Sequence, residues 1–172
     1  TRRGRSNDFR ELKRKLRALP AIAREEIHGA LQQSAVEMVE AARNFAPVKS
    51  GDLRNSIGYT FGKYSPENSN VRGVGVAANK LNDPDLTVTI HAGDAKAFYA
   101  AFVEFGTAAH TIKPKRPGGL LNIFGRTITK VEHPGAAARP FFFPAWRLVK
   151  KKAKGRISRA TNKAAKKVAA GG

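Results

Sequence analysis

The sequence predicts an α+β fold: a small antiparallel sheet packed with a long N-terminal helix, a short central helix and a basic C-terminal helix. Apolar residues recur every three or four positions towards both ends of the chain, and segments between them alternate as strands do. The chain has 172 residues, of which 41% are hydrophobic. This is enough for one domain with a real core.

The first predicted element is a long, interrupted amphipathic helix. Apolar residues step by three or four from Phe9 to Leu19 and again from Ile27 to Phe45. Pro20 lacks an amide proton, so it should kink or restart the helix between these stretches. The helix should end before Pro47, because the residue preceding a proline disfavours helical backbone angles.

Three strands are predicted in the middle of the chain, over residues 56–63, 71–78 and 86–91. Each contains alternating or β-branched residues, and turn-forming residues separate them. We expect them to form an antiparallel meander.

A short helix is predicted over residues 95–105, with Gly106 as its stop. Phe98, Phe102 and Phe105 share one side of this helix. Aromatic residues at helical spacing usually pack inward, so we expect these three in the core, with a subunit interface as the alternative.

The last third of the chain is predicted to hold a long loop, a hairpin and the C-terminal helix. The loop, Thr107 to Gly119, contains three basic residues, two prolines and two glycines, and loops of this length are usually functional or disordered. Leu120 to Val131 predicts the hairpin. From Pro144 onward, apolar residues again step by three or four, which predicts a helix with a strongly basic outer face.

The excess positive charge lies at the two ends of the chain. There are 32 Lys and Arg against 13 Asp and Glu, a net charge of +19. Residues 1–24 carry +7 and residues 133–172 carry +11 without a single acid, whereas residues 25–132 carry only +1. We therefore expect a basic N-terminal arm (1–24), a single core domain (25–149) and a basic C-terminal helical tail (150–172). This imbalance indicates a polyanion or an acidic partner, with a solvated surface as the alternative.

The sequence argues against catalysis, cofactors, metals and membranes. The absence of cysteine excludes disulfides, thiolate zinc sites and cysteine nucleophiles. The four histidines lack metal-binding spacings, and the carboxylates are too scattered for acid–base chemistry. The sequence has no phosphate-binding loop and no apolar run near the roughly 20 residues that span a bilayer. We therefore expect no enzyme activity, no cofactor and no membrane partner.

Four segments, in this order, carry a resemblance to a known family. They are Phe45–Ile57 (FAPVKSGDLRNSI), Tyr99–Thr107 (YAAFVEFGT), His110–Lys115 (HTIKPK), and His133-Pro-Gly followed by Ala138–Ala145 (ARPFFFPA). The pattern resembles the tail-completion or head–tail joining (neck) proteins of long-tailed bacteriophages, which also occur in prophages and gene transfer agents. The resemblance covers about residues 30–150.

The resemblance implies a structural virion protein without catalytic residues. It would be a ring subunit at the head–tail junction that joins the tail tube to the head connector, with DNA passing through the lumen. Its partners would be further copies of the chain, neighbouring head-connector and tail-tube proteins, and double-stranded DNA bound without sequence specificity. A hexamer is favoured over a twelve-fold ring, and assembly would take place in the host bacterial cytoplasm.

Several alternatives stay open at this point. Tail completion and tail termination are not separated, nor are phage and gene transfer agent, nor DNA and protein as the target of the basic ends. The main alternative function is a non-specific, histone-like DNA-binding protein.

Two sets of residues are predicted to make the contacts. Symmetric rings close by head-to-tail contacts, for which the loop Thr107 to Gly119 is the best candidate. Glu104, alone on an apolar helix, is either a solvated or paired charge or an intersubunit partner of a basic loop residue. Three consecutive phenylalanines at 141–143 cannot all face one side, so at least one should meet a neighbouring subunit or be covered by an arm. The subunit-contact set is Glu104, His110, Lys113, Lys115, Arg116, Phe141, Phe142 and Phe143, and the set facing DNA or an acidic partner is Arg147, Lys150, Lys151, Lys152, Lys154, Arg156 and Arg159.

Overall fold

The computed structural model of the chain describes residues 21–67, 71, 73–77, 83–116, 118–123 and 125–169. The helical stretch predicted from Phe9 to Leu19 and the kink predicted at Pro20 lie outside these residues. Within them, α-helices and small antiparallel sheets combine, which confirms the predicted α+β class.

The helices of the described part are α1 (Ala21–Phe45), α2 (Asp52–Asn55), α3 (Ala100–Phe105) and α4 (Phe142–Ala169). The end of α1 before Pro47 and the end of α3 at Gly106 confirm the predicted stops. However, α3 begins only at Ala100. Before it, Asp94 Oδ1 accepts the amide protons of Lys96 and Ala97 and holds the chain in a turn. The helix α2 is too short to leave a periodic signal and was not predicted.

The central sheet has three antiparallel strands, β1 (Gly58–Phe61), β2 (Val74–Ala77) and β3 (Val88–Ala92). Their order is β1-β3-β2, so the predicted meander, which would place β2 in the middle, is wrong. The middle position suits β3 because four of its five residues are buried. A single 3₁₀ turn, Pro84–Leu86, leads into β3 and is capped by the Asp83 side chain, which accepts the amide proton of Asp85.

A β-arm, residues 107–136, connects α3 to α4. It consists of two nested antiparallel ribbons: β4 (His110–Ile112) pairs with β7 (Val131–His133), and β5 (Leu121–Ile123) pairs with β6 (Arg126–Ile128). The predicted hairpin is present as β5 and β6, but the predicted loop contains strand β4. That strand was missed because its partner lies beyond the β5–β6 hairpin. None of the described β-arm residues is buried.

The core lies between α1, α4 and the central sheet. Several alanines on the facing sides of the two long helices are buried, and these small side chains let the backbones approach closely. The boundary expected at residue 150 falls inside α4, where Ala153 and Ala164 are still buried. Buried side chains that represent the core are Ala35, Met38, Ala42, Ile57, Ile90, Phe142, Ala145 and Val149.

Two glutamates of α1 tie that helix to α4. Glu37 is paired with Arg156 and, at 3.1 Å, with Lys152. Glu26 is paired with Lys163, at 3.0 Å, and with Lys167. Two carboxylates of α1 therefore offset half of the charge of the four cations on the inner edge of α4.

Candidate interaction surfaces

The β-arm leaves and rejoins the body at a single point. Thr107 and Ala136 exchange two backbone hydrogen bonds there, of 2.9 and 3.0 Å. Gly106 and Gly135 flank this bridge with positive φ angles of 72° and 85°. A Cβ atom on Gly135 would lie 2.3 Å from the carbonyl oxygen of Thr107, so only glycine fits. The backbone at the root of the arm is thus held in one tightly packed arrangement, although none of the described residues of the arm is buried.

Glu104 connects the end of α3 to the start of α4. Its side chain is buried, with 3% of the residue exposed, and its two oxygens accept the amide protons of Phe141, Phe142 and Phe143 at 2.7, 2.8 and 3.0 Å. The first four amide groups of a helix have no partner inside the helix. Here three of them bind the carboxylate, and the fourth position is Pro144, which has no amide proton.

This arrangement gives Glu104 an internal role instead of the predicted partner contact. The carboxylate is shielded from solvent, and both of its oxygens accept amide protons at the start of α4. A charge on an apolar helix was visible in the sequence, but the segment that it binds lies 37 to 39 residues away.

The phenylalanine run enters the core. Phe141 and Phe142 are completely buried, and their rings meet edge to face. A side chain without exposed area cannot contact a neighbouring subunit, so the partner role expected of these two residues does not fit their position. Phe143 is half-buried and lies 5.8 Å from the ring of Phe105. Of the three phenylalanines, Phe143 is therefore the one with exposed surface for a partner.

An aromatic strip, formed by Phe98, Phe102 and Phe105, lies on the surface of α3 and the turn before it. These side chains are 48%, 43% and 63% exposed, so the expected core packing is wrong. The opposite side of the segment is buried through Ala97 and Ala100. Small residues on that side allow close packing against the sheet, which turns the large residues outward. The signal in the sequence was that alanines lie on one side of this segment and phenylalanines on the other. The general tendency of aromatic residues to be buried led to the wrong side.

An acidic cleft lies beside the start of the aromatic strip. It has a volume of about 250 Å³, and Asp52, Glu67 and Asp94 line it together with Lys96. None of the three carboxylates forms an ion pair with a described residue. Burial of the Tyr64 side chain, followed by the charges of Glu67 and Asp94, raises the pKa of the Tyr64 hydroxyl. These acids are far apart in the sequence, so no motif predicted the cleft.

The predicted contact residues of the β-arm are exposed. His110 faces His133 across the β4–β7 ribbon, with ring centroids 5.0 Å apart. Lys113, Lys115 and Arg116 follow β4 and form no ion pair with the described residues. Apolar residues pair across both ribbons, Ile112 with Val131 and Leu121 with Ile128.

A basic stripe runs along the outer face of α4. It consists of Arg147, Lys150, Lys151 and Lys154, all exposed and without an ion pair among the described residues. The predicted residue Arg159 is exposed as well. The predicted residues Lys152 and Arg156 point towards Glu37 of α1 instead. The side chain of Arg156 is only 13% exposed, which leaves it little surface for a partner.

The described residues hold no group of three or more side chains suited to a metal ion, and no described helix is long and apolar enough to cross a membrane. A family model described as "Bacteriophage HK97-gp10, putative tail-component" matches residues 10–106, more than half of the chain. Searches of curated proteins and of solved structures find no match. The matched segment includes α1, the central sheet and the aromatic strip, and it ends where the β-arm begins.

Proposed function

The chain belongs to the HK97-gp10-like family of bacteriophage tail components, and we propose that it is a ring subunit of the phage neck. Family membership makes the chain a structural component of a phage tail. The proposed part is finer: copies of the chain join the tail tube to the head connector at the head–tail junction, and DNA passes through the lumen. Assembly would precede virion release, in the host cytoplasm.

The observation that carries the proposal is the β-arm. A two-stranded ribbon alone is marginally stable in water, and the described residues of this arm are not buried in the body. The arm therefore gains stability when another surface covers it. Copies arranged head to tail supply a surface for every arm, and such contacts close into a ring by rotation. We favour six copies, the number expected for a ring on the tail side.

The basic stripe supports a second feature of the proposal, a charged surface on α4 for DNA in the lumen or for an acidic neighbouring ring. Its four cations lie on one face, and no acid occurs between residues 133 and 172 to offset them. Contacts of the stripe with DNA would be to phosphates, so they would carry no sequence specificity. We propose no enzymatic role for any residue.

Cryo-electron microscopy of the head–tail junction in purified particles tests the proposal. We expect density for a closed ring that fits the described fold, with its copy number countable and α4 facing either the lumen or an adjoining ring. Tailed particles that lack the protein would overturn the proposal. They would support the second candidate, a histone-like DNA-binding protein, which the exposed stripe also favours.

A further inference from the structure

We propose that the acidic cleft and the aromatic strip form a receptor that holds the β-arm of a second copy of the chain. The inference rests on the proposed ring, and it names the two surfaces that make each contact. It concerns three carboxylates, three phenylalanines and an arm that belong to one chain but do not cover one another.

The aromatic strip is the apolar part of this receptor. Phe98, Phe102 and Phe105 each leave between 43% and 63% of their surface exposed. Phe143 extends the strip, because its half-buried ring lies 5.8 Å from that of Phe105. Large aromatic side chains grouped on one surface are typical of protein contact sites, where they supply much of the binding energy.

The acidic cleft is the charged part of the receptor. Asp94 begins the turn that leads to Phe98, so the cleft and the strip adjoin. Most other described carboxylates have partners within the chain: Glu26, Glu37, Asp83, Asp85 and Glu132 form ion pairs, and Glu104 binds backbone amides. On a chain with a net charge of +19, three carboxylates grouped in one cleft without an ion pair to a described residue are a distinctive local feature.

The β-arm has the complementary chemistry. Lys113, Lys115 and Arg116 form a cationic cluster, and they lie between the apolar residues of β4 and those of β5. Leu120, next to the cluster, is 61% exposed. The basic cluster and the acidic cleft carry opposite charges, and each lies beside apolar side chains, aliphatic on the arm and aromatic on the receptor. The two surfaces are therefore complementary in both charge and apolar contact.

The arm does not cover the strip of its own chain, which leaves both surfaces open to the complementary surfaces of another copy. Both surfaces are exposed in the folded chain, and the root of the arm is held by the Thr107–Ala136 bridge directly after Phe105. Receptor and arm are different surfaces. A contact between them is therefore heterologous and repeats from copy to copy.

Charge reversal tests the contact with the full-length protein. One variant, Asp52→Lys with Glu67→Lys, reverses the receptor and leaves the turn held by Asp94 intact, and another, Lys113→Glu with Lys115→Glu and Arg116→Glu, reverses the arm. Sedimentation velocity measures the self-association of each. Like charges placed against each other should weaken self-association by about 100-fold or more in each variant.

The decisive samples are the mixture of the two variants and a chain that carries both reversals. In both cases every reversed arm finds a reversed receptor, so we expect self-association to return. A matched control carries the charge change of the receptor variant elsewhere: Glu25→Lys with Glu40→Lys, both exposed on α1. The control should associate like the unmodified chain, and circular dichroism should show that all variants are folded.

The apolar part is tested by Phe102→Ser, which should abolish self-association while circular dichroism shows that the chain stays folded. Leu148→Ser is its control, since Leu148 is 67% exposed on α4 and belongs neither to the aromatic strip nor to the acidic cleft. Three results would overturn the proposal: an unmodified chain that stays monomeric at high concentration, reversed variants that associate normally, or losses that the mixture does not restore. A ring seen in particles together with normal association of the reversed variants would leave the ring function standing and assign the strip to a different protein.

Discussion

Glu104 shows how a carboxylate can be buried without a counter-charge. Removing a charge from water is costly unless hydrogen bonds replace those that water made. Three amide protons do so here, at the end of α4 where the helix dipole is positive. The same carboxylate orients the chain as it returns from the β-arm. One residue of α3, the helix before the arm, therefore fixes the start of α4, the helix after it.

We predict that Glu104→Gln lowers the free energy of unfolding by about 2 kcal/mol, and that Glu104→Ala lowers it by about 3 kcal/mol. Glutamine keeps one accepting oxygen but turns an NH₂ group towards an amide proton, whereas alanine leaves all three amides without a partner. Urea denaturation measures the change. The control is Glu40→Gln, an exposed residue of α1 that should change stability by less than about 0.5 kcal/mol. Equal midpoints for the two glutamine variants would contradict the role given to Glu104.

At the scale of elements, the contact between α1 and α4 combines a small-residue core with ion pairs at its edge. Hydrogen bonds from Arg156 and then Lys152 hold the pKa of Glu37 below its ordinary value of 4.5. Hydrogen bonds from Lys167 and Lys163 do the same for the pKa of Glu26, whose ordinary value is also 4.5. Because both folded-state pKa values lie below the unfolded ones, the folded chain binds fewer protons than the unfolded chain under acidic conditions.

This sign predicts a loss of stability in acid. The contribution of Glu37 should be complete above pH 4.5 and should disappear as the pH falls through the lowered folded-state pKa. Glu37→Gln should therefore flatten the dependence of the melting temperature on pH below 4.5. Glu40→Gln, on the same helix but without an ion pair to a described residue, should leave that dependence unchanged. A Glu37→Gln curve parallel to that of the unmodified chain would show that the pair contributes nothing.

The root of the β-arm predicts a contrast between two glycines with similar backbone angles. Gly135→Ala would bring a Cβ within 2.3 Å of a backbone oxygen, whereas a Cβ on Gly125, at a φ of 76°, would meet nothing within 4 Å. We expect Gly125→Ala to cost about 1 kcal/mol from backbone strain alone, and Gly135→Ala to cost about 3 kcal/mol or more. Amide hydrogen exchange at Thr107 and Ala136 reports the opening of the bridge. Similar exchange rates in the two variants would contradict the tight fit.

The same elements show what the sequence could and could not predict. The periodicity of α1 and α4, the strand character of β1 to β3 and the stop at Gly106 are local properties, and local patterns predicted them. The order of the strands, the β4–β7 pairing and the capping of α4 by Glu104 depend on residues distant in the chain. The prediction that the aromatic strip is buried was wrong for another reason. Phenylalanine is usually buried, but here Ala97 and Ala100 occupy the buried side of the segment.

At the scale of the whole molecule, the basic residues divide into two groups. Those on the inner edge of α4 form ion pairs with two glutamates of α1, which offset half of their charge, and the basic stripe on the outer edge has no such pair among the described residues. A count of charges along the sequence could not separate them. The surface left for a polyanion is therefore smaller than the net charge of +19 suggests.

We predict that Lys150→Ala with Lys151→Ala and Lys154→Ala reduces the salt dependence of duplex DNA binding. If each lysine meets one phosphate, the slope of log K against log salt should fall in magnitude by about 2.7. The control removes the three cations of the β-arm, Lys113→Ala with Lys115→Ala and Arg116→Ala, and should leave the slope close to that of the unmodified chain. Fluorescence anisotropy at several salt concentrations measures both. An unchanged slope for the stripe variant would show that the stripe meets protein and not DNA.

The narrow root of the β-arm also determines how the molecule responds to force. A neighbour that pulls on the arm would load the two hydrogen bonds between Thr107 and Ala136 first, because these are the first and last residues of the arm. Tension on the returning strand then reaches the hydrogen bond from the Arg139 amide to the Val103 carbonyl oxygen, at 2.8 Å, and after it the three hydrogen bonds of Glu104, ahead of the packed helices. If the proposed ring is strained when DNA passes, these hydrogen bonds would bear the load before the core behind them, with the Glu104 carboxylate as the last connection in front of the packed helices.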